Sequence, residues 1–149
     1  MLVKTKPFGE IEVDERQKVS FPSGIFGFEN LRNYVLLDAA QPPFYWLQSV
    51  DEREISFVLI DPTFFRPDYV LEAPDEDLEE IGAKDTSDLL IFAIVTIPHD
   101  QERMSANLQG PIVIHRKNKT AKQTISLNSK WKVRHYILDE MAAVKDRAC

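Results

Sequence analysis

Apolar and polar residues alternate with a period of two over much of the chain, and turn signals interrupt that alternation at short intervals. Ile11 and Val13 alternate with Glu10, Glu12 and Asp14, and Val19 and Phe21 alternate with Lys18 and Ser20. Successive side chains of a strand point to opposite faces, so this period predicts strands. A denser aromatic and β-branched run, FYWLQSV (44–50), is followed by the charged stretch DERE and then by ISFVLI (55–60). That arrangement predicts a hairpin, with Phe44, Trp46 and Phe57–Ile60 as its core side chains. Asp61-Pro62 closes its second strand, because proline cannot donate to a ladder. LLIFAIVTI (89–97) is continuous rather than alternating, which predicts a strand buried on both faces or lining a barrel interior. IVIH (112–115), QTISL (123–127) and VRHYIL (133–138) predict three more strands.

One helix is predicted, over 74–82. Pro74 lies near its start, acids fill its first turn, and Gly82 stops it. Leu78 and Ile81, three apart, leave only a narrow inward stripe, so it lies on the surface as the most regular helix of the chain. Short helical turns are expected near FENLRNY (28–34) and PTFFRPDY (62–69). The end of the chain, DEMAAVKDRAC, is expected to be helical or frayed, and mobile. The fold class is therefore all-β, mainly antiparallel: a small single-domain β-barrel or sandwich with about one short surface helix.

Composition agrees with one domain. The 149 residues are 44% hydrophobic and 28% charged, enough for a core and unlike a disordered chain. The opening MLVKTKPFGEIEVDE resembles no signal peptide. The nine-residue run 89–97 falls short of the roughly twenty a membrane helix needs. Cys149 is the sole cysteine, which allows no internal disulfide and fits a reducing compartment.

Charge changes the picture more. The net charge is −6, yet residues 1–100 hold 8 Lys/Arg against 20 Asp/Glu and residues 101–149 hold 10 against 4. Such asymmetry bears on partners rather than on fold. Solvated faces are the plain alternative. An acidic protein is also a poor general binder of nucleic acid, since phosphate contacts need a positive surface.

The residues of catalysis are sparse. Histidine occurs only at 99, 115 and 135, there is no GxSxG, and Cys149 sits at the end of the chain. His115 and His135 fall in strand-like segments and are expected at the surface or an edge. CxxC, HExxH and paired histidines at helical spacing are missing, as are GxGxxG and GxxxxGK[ST]. SGIFGFE supplies only Gly24 and Gly27, a poor match to a phosphate loop. The expectation is no enzyme, no metal and no cofactor. A single-strand RNA-binding module is the alternative class: HRKNKTAK (115–122) and KWKVRHY (130–136) mix bases with Trp131 and Tyr136. It requires both stretches on one face with Trp131 exposed. Otherwise HRKNKTAK is a hairpin tip whose lysines keep it soluble and deter edge pairing.

Four strings, FPSGIFGFE (21–29), PPFYWLQSVD (42–51), FVLIDPTFFRPDY (57–69) and ANLQGPIVIH (106–115), together resemble the FliW family of bacterial flagellar assembly factors in order and spacing. The resemblance runs from about Lys4 to Leu138. It implies a β domain over 1–138, followed by a tail over 139–149. Ile25-Phe26 and His115 depart from the family's usual residues without removing a group that chemistry would require. The resemblance implies a small β-barrel, a non-enzymatic cytoplasmic regulator that binds the RNA-binding translational regulator CsrA and also binds flagellin. Newly made flagellin would capture the protein and free CsrA to repress flagellin translation. Direct binding to nucleic acid or membrane is not expected, and a monomer is.

Within the matching strings, Gly24, Gly27, Phe28, Asp61, Pro62, Asn107, Leu108, Gly110 and Pro111 are expected to be structural. Gly110 would supply an unusual backbone angle and Pro111 would start an edge strand after a polar loop. CsrA binds RNA, so a basic surface is expected on it, and acids would steer it. The candidates are Asp51, Glu52 and Glu54 in the hairpin loop and Asp75, Glu76, Asp77, Glu79 and Glu80 on the helix. Solvated turn and helix faces are the plain alternative for both groups.

Overall fold

The structure is a computed structural model, and it describes residues 1–99 and 103–148, with side chains to residue 144. Ten strands and two helices follow one another: β1 (Leu2–Thr5), β2 (Gly9–Glu12), β3 (Lys18–Ser20), β4 (Asn33–Asp38), β5 (Phe44–Ser49), β6 (Ser56–Ile60), α1 (Asp75–Glu80), β7 (Leu89–Thr96), β8 (Ser105–His115), β9 (Ala121–Gln123), β10 (His135–Tyr136) and α2 (Ile137–Ala148). β1 and β2 form a separate hairpin. The other eight strands make one antiparallel sheet in the order β3-β4-β5-β6-β7-β8, with β10 and β9 pairing successive stretches of β8. A bridge between Ser20 and Thr120 brings β3 to the β8–β9 hairpin, so the sheet curls into a nearly closed barrel. Closure of this kind removes free edges.

β7 shows why an uninterrupted apolar run is needed. Leu90, Phe92 and Ile94 face the barrel interior with Phe21, Ile25, Leu47, Leu59 and Ile112. Leu89, Ile91, Ala93 and Val95 face a second core with Phe65, Tyr69, Ile81, Trp131 and Ile137. The strand is thus buried on both faces. The 44–60 hairpin forms with Leu47 opposite Phe57 and Trp46 opposite Val58. Its deepest side chains are Leu47, Leu59 and Ile60, whereas Phe44, Trp46 and Phe57 are only partly buried. A small third cluster, Val3, Val13, Val35 and Leu37, fastens the β1–β2 hairpin to β4.

Several expectations need correction. The longest helix is α2, not 74–82, and α1 spans only Asp75–Glu80. β10 stops at Tyr136, because Ile137 and Leu138 already turn into α2, where Ile137 is buried against the second core. β9 covers only Ala121–Gln123, so most of QTISL lies beyond it. Residues 28–34 make a turn into β4, while Pro62–Phe64 is a 3-10 turn capped by Asp61, whose carboxylate accepts from the Thr63 amide at 2.9 Å. Both His115 and His135 are buried rather than superficial. His115 Nδ1 accepts from the amides of Lys117 and Asn118 and so closes the hairpin turn.

The largest correction concerns NLQGP. It is no loop and begins no edge strand: β8 runs through it with β7 on one side and β10 and β9 on the other. Phe92 pairs with Ile112 while Ile94 pairs with Asn107, so Leu108–Pro111 bulge out opposite Ala93 alone. The bulge is fixed by its own side chains. Asn107 Oδ1 accepts from the amides of Gln109 (3.0 Å) and Gly110 (2.8 Å), and the Leu108 and Gln109 amides both donate to the Lys132 carbonyl. Proline is tolerated at a bulge because no ladder amide is needed there. Gly110 sits in tight space rather than at a left-handed angle: a Cβ there would lie 3.1 Å from Gln123 Nε2, so that side chain would have to shift by a few tenths of an ångström.

Candidate functional site

The β5–β6 turn is built by two buried polar residues before it. Gln48 Nε2 donates to the carbonyls of Ser49 (3.0 Å), Arg53 (3.0 Å) and Ile55 (3.3 Å). Ser49 Oγ accepts from the amides of Asp51 and Glu52. The turn is therefore held in one shape, with Asp51, Glu52 and Glu54 exposed or nearly so. Asp51 takes a hydrogen bond from Asn33 Nδ2 at 3.4 Å. Beside it the Tyr34 hydroxyl is buried without a partner, and burial together with the Asp51 charge pushes it up to about 12.

α1 starts after Pro74 with three acids in its first turn, where they complement the positive end of the helix dipole. No side chain caps its N-terminus, and Ile81, the residue just after its last turn, is buried. What fixes the helix is the strand alongside. Lys122 Nζ lies 3.1 Å from Asp77 and 2.9 Å from Glu80, and Thr124 Oγ1 donates to Asp77 at 2.6 Å. Ser23 Oγ donates to Glu80, and Asn118 Nδ2 donates to the Ile81 carbonyl. The Glu80 carboxylate, followed by Asp77, holds the Lys122 ammonium above its ordinary value.

This geometry answers why an acidic protein carries a basic hairpin. Lys122 is an internal countercharge for α1, and Asn118 holds the Ile81 carbonyl just beyond the helix's end. The hairpin tip also joins the other acidic segment: Lys18, Tyr34, Asp51, Asn118 and Lys119 surround one depression of about 420 Å³. Asn118 of the basic tip thus touches both the end of α1 and the depression that Asp51 lines. Among the described residues, no cation lies within ion-pair distance of Asp51, Glu52, Glu54, Asp75, Glu76 or Glu79. No described cation answers these six carboxylates, while Asp77 and Glu80 are answered. Sequence reading missed that division, since Lys122 and Asp77 meet only through the fold.

A second charged cluster sits where the 61–70 loop, the approach to β10 and α2 converge. Arg66 makes two hydrogen bonds to Asp68, each 2.9 Å, pairs with Glu140, and lies over the Trp131 ring at 4.8 Å. Lys130 Nζ also reaches Asp68 and the same ring. His135 Nε2 accepts from the Lys132 amide at 2.8 Å, so Nδ1 carries the proton it gives to Glu140. Arg66 holds the Asp68 carboxyl well below the usual carboxylate range. Trp131 is 2% exposed and packs on Tyr69. The exposed Trp131 that the single-strand RNA alternative requires is not there.

The residues of the matching strings have structural places. Gly24 has φ +70°, and a Cβ on it would lie 2.5 Å from the Glu29 backbone. Gly27 also has positive φ, and Phe28 stacks edge-on against Phe57 with centroids 5.3 Å apart. Asp61 and Pro62 start the 3-10 turn, and Asn107, Leu108, Gly110 and Pro111 form the bulge. His115 and His135 stand at opposite ends of β8, as His135 pairs with Ala106. Among the described residues, no group of three or more His, Cys, Asp or Glu is placed to hold a metal ion, and no helix is long and apolar enough to cross a membrane.

Comparison with known proteins supplies what this geometry alone does not. The family described as FliW protein matches residues 2–137. The flagellar assembly factor FliW of Treponema denticola is 45% identical over 143 residues, covering 96% of this chain and 97% of the relative. That of Treponema pallidum is 40% identical, covering 95% of each. A crystal structure of the flagellar assembly factor FliW superposes with a TM-score of 0.85 at 35% identity, over 92% of this chain and 96% of the other.

Proposed function

The chain belongs to the FliW family of flagellar assembly factors, and from that premise we propose that it is a cytoplasmic, non-enzymatic regulator that binds CsrA and flagellin in exchange. Bound to CsrA, it keeps CsrA from repressing flagellin translation. Bound to newly made flagellin, it lets CsrA go. Two ligands whose binding to one small protein is coupled affect each other by the same factor, so each should weaken the other equally.

The match over nearly the whole chain carries this reading. The six carboxylates that no described cation answers support its CsrA half, because an RNA-binding protein offers a basic surface that such acids attract. The test is retention of purified CsrA and of purified flagellin on the immobilised protein, each then challenged with the other. Retention of both, with flagellin displacing CsrA, is expected. Failure to retain CsrA at low salt would overturn the reading.

A further inference from the structure

A groove of about 370 Å³ opens between the Gly24–Phe28 turn, the β8 bulge and the 131–134 approach to β10. None of its lining residues contacts an α1 acid. β9 separates the two surfaces: Lys122 and Thr124 hold α1, whereas Gln123 between them serves the groove, accepting from the Phe26 amide and donating to the Gly110 carbonyl. The floor is apolar, since Ile25 and Ile94 belong to the barrel interior. The rim carries three large apolar side chains in the open, Phe26 (54% exposed), Ile125 (47%) and Val133 (54%). Single exposed apolar residues need no explanation, but a cluster around a groove marks an interaction site. The bulge that forms one wall is already pinned by Asn107 and Lys132, so little ordering is needed on binding.

Charge selects the occupant. Arg134 lines the groove, and Lys132 lies beside the bulge; both are exposed, and among the described residues neither has a carboxylate within ion-pair distance. Two acids approach the Gly24–Phe28 side, and both are held: Glu29 by the Gly27 amide, and Glu80 by Ser23 and Lys122. This rim repels a basic RNA-binding surface and suits a segment that combines apolar side chains with carboxylates. A subunit that polymerises into a filament must bury apolar surface against its neighbours, and before assembly that surface stands exposed.

We propose that this groove is the docking site for flagellin, taking apolar side chains of its assembly surface between Phe26, Ile125 and Val133, with flanking carboxylates at Lys132 and Arg134. It rests on the reading that flagellin is a ligand of this protein. Flagellin and CsrA then occupy different faces.

The test is calorimetric titration of monomeric flagellin and of CsrA into the wild-type chain, a Phe26→Asp/Val133→Asp variant and an Arg134→Glu variant. Phe26, Val133 and Arg134 are all exposed, so melting temperatures should match the wild type. The double variant should bind flagellin at least about tenfold more weakly, the loss expected when an interface loses its anchoring side chains. It should bind CsrA within about twofold of the wild type. Arg134→Glu should weaken flagellin at low salt and matter less at high salt. Unchanged flagellin affinity in the folded double variant would overturn the groove assignment alone. Equal loss of both partners would overturn the separation of faces. A wild-type chain that binds no flagellin would remove the occupant, and the exchange reading with it.

Discussion

The Arg66 cluster and the α1 face are made of the same side chains, and they differ in how completely the chain answers its own charges. Around Arg66 every charge has a partner: Asp68 is bonded by Arg66 and Lys130, and Glu140 by Arg66 and His135. Those contacts join three distant segments over the buried ring of Trp131. On α1, Lys122 answers Asp77 and Glu80 while Asp75, Glu76 and Glu79 stand open. A closed network of partly buried charges rigidifies a structure, and its removal is felt in stability. An exposed row of one sign adds almost nothing to stability and is felt by whatever approaches. Net charge does not distinguish the two, and burial with geometry does.

The contrast breaks first at Arg66. Arg66→Ala should destabilise the protein by about 2–4 kcal/mol, less than a fully buried pair because Asp68 remains half open to solvent. It leaves Glu140 with His135 alone and Asp68 with Lys130 alone, and it strips the guanidinium from the Trp131 ring. The measurement is the urea midpoint with its slope unchanged; a shift equivalent to less than about 0.5 kcal/mol would mean that the closed network is decoration. Lys122→Ala should cost about 1 kcal/mol, because Thr124 and Ser23 keep one bond each to the stranded acids. The same substitution adds net negative charge to the α1 face, so it should quicken CsrA association rather than slow it.

Acid should find the closed cluster as well. The Asp68 carboxyl is depressed in the folded protein, chiefly by Arg66. The unfolded chain therefore binds that proton first on acidification. The stabilisation is complete above the unfolded value, about 4, and is lost as pH falls from there toward the folded one. Asp14, held down to about 2 by Arg16, titrates in the same window. Asp68→Asn should thus flatten, without abolishing, the fall in urea midpoint between about pH 4 and about pH 2. An unaltered slope would show that the Arg66 bonds persist in the unfolded chain or do not form.

What the sequence disclosed and what it hid follow from the range of the interactions. The 44–60 hairpin is legible because its strands are adjacent and Asp61-Pro62 marks the stop. β7 is legible because burial on both faces leaves no polar position before Thr96 at its end. The bulge is not: Gly110-Pro111 reads as a loop end, and only the register of β7 against β8 reveals that four residues face one. Only the start of α2 hides, behind VRHYIL, whose β-branched and aromatic residues read as strand until Ile137 must turn inward to reach the second core; the rest of α2 lies where the tail was expected to be helical or frayed. The candidate acids were named as one group. Their division needed the position of Lys122, which local pattern cannot supply. The groove was invisible for a similar reason, since Phe26, Ile125 and Val133 come from three separate segments.

The smallest expected effect on stability is paired with a clear effect on association. Glu76→Lys/Glu79→Lys reverses two exposed acids that no described cation answers, and it leaves Asp77, Glu80 and Lys122 untouched. Including Glu80 would confuse the result, because its reversal also breaks the Lys122 pair. Folding stability should change by less than about 1 kcal/mol, most of it from Glu76 in the first turn, where the helix dipole favours an acid. Steering acts through the encounter rate and is screened beyond about 8 Å at physiological salt. The double variant should therefore associate with CsrA more slowly than the wild type at low salt, dissociate at a similar rate, and converge on the wild type as salt rises. A Gln pair at the same positions should give a smaller slowing, since it removes charge without reversing it. Stopped-flow association at two ionic strengths decides the matter. If the Lys pair associates at the wild-type rate at low salt while Lys117→Glu/Lys119→Glu slows capture, CsrA meets the basic tip of the hairpin, and local shape at that end outweighs the open row of acids on α1.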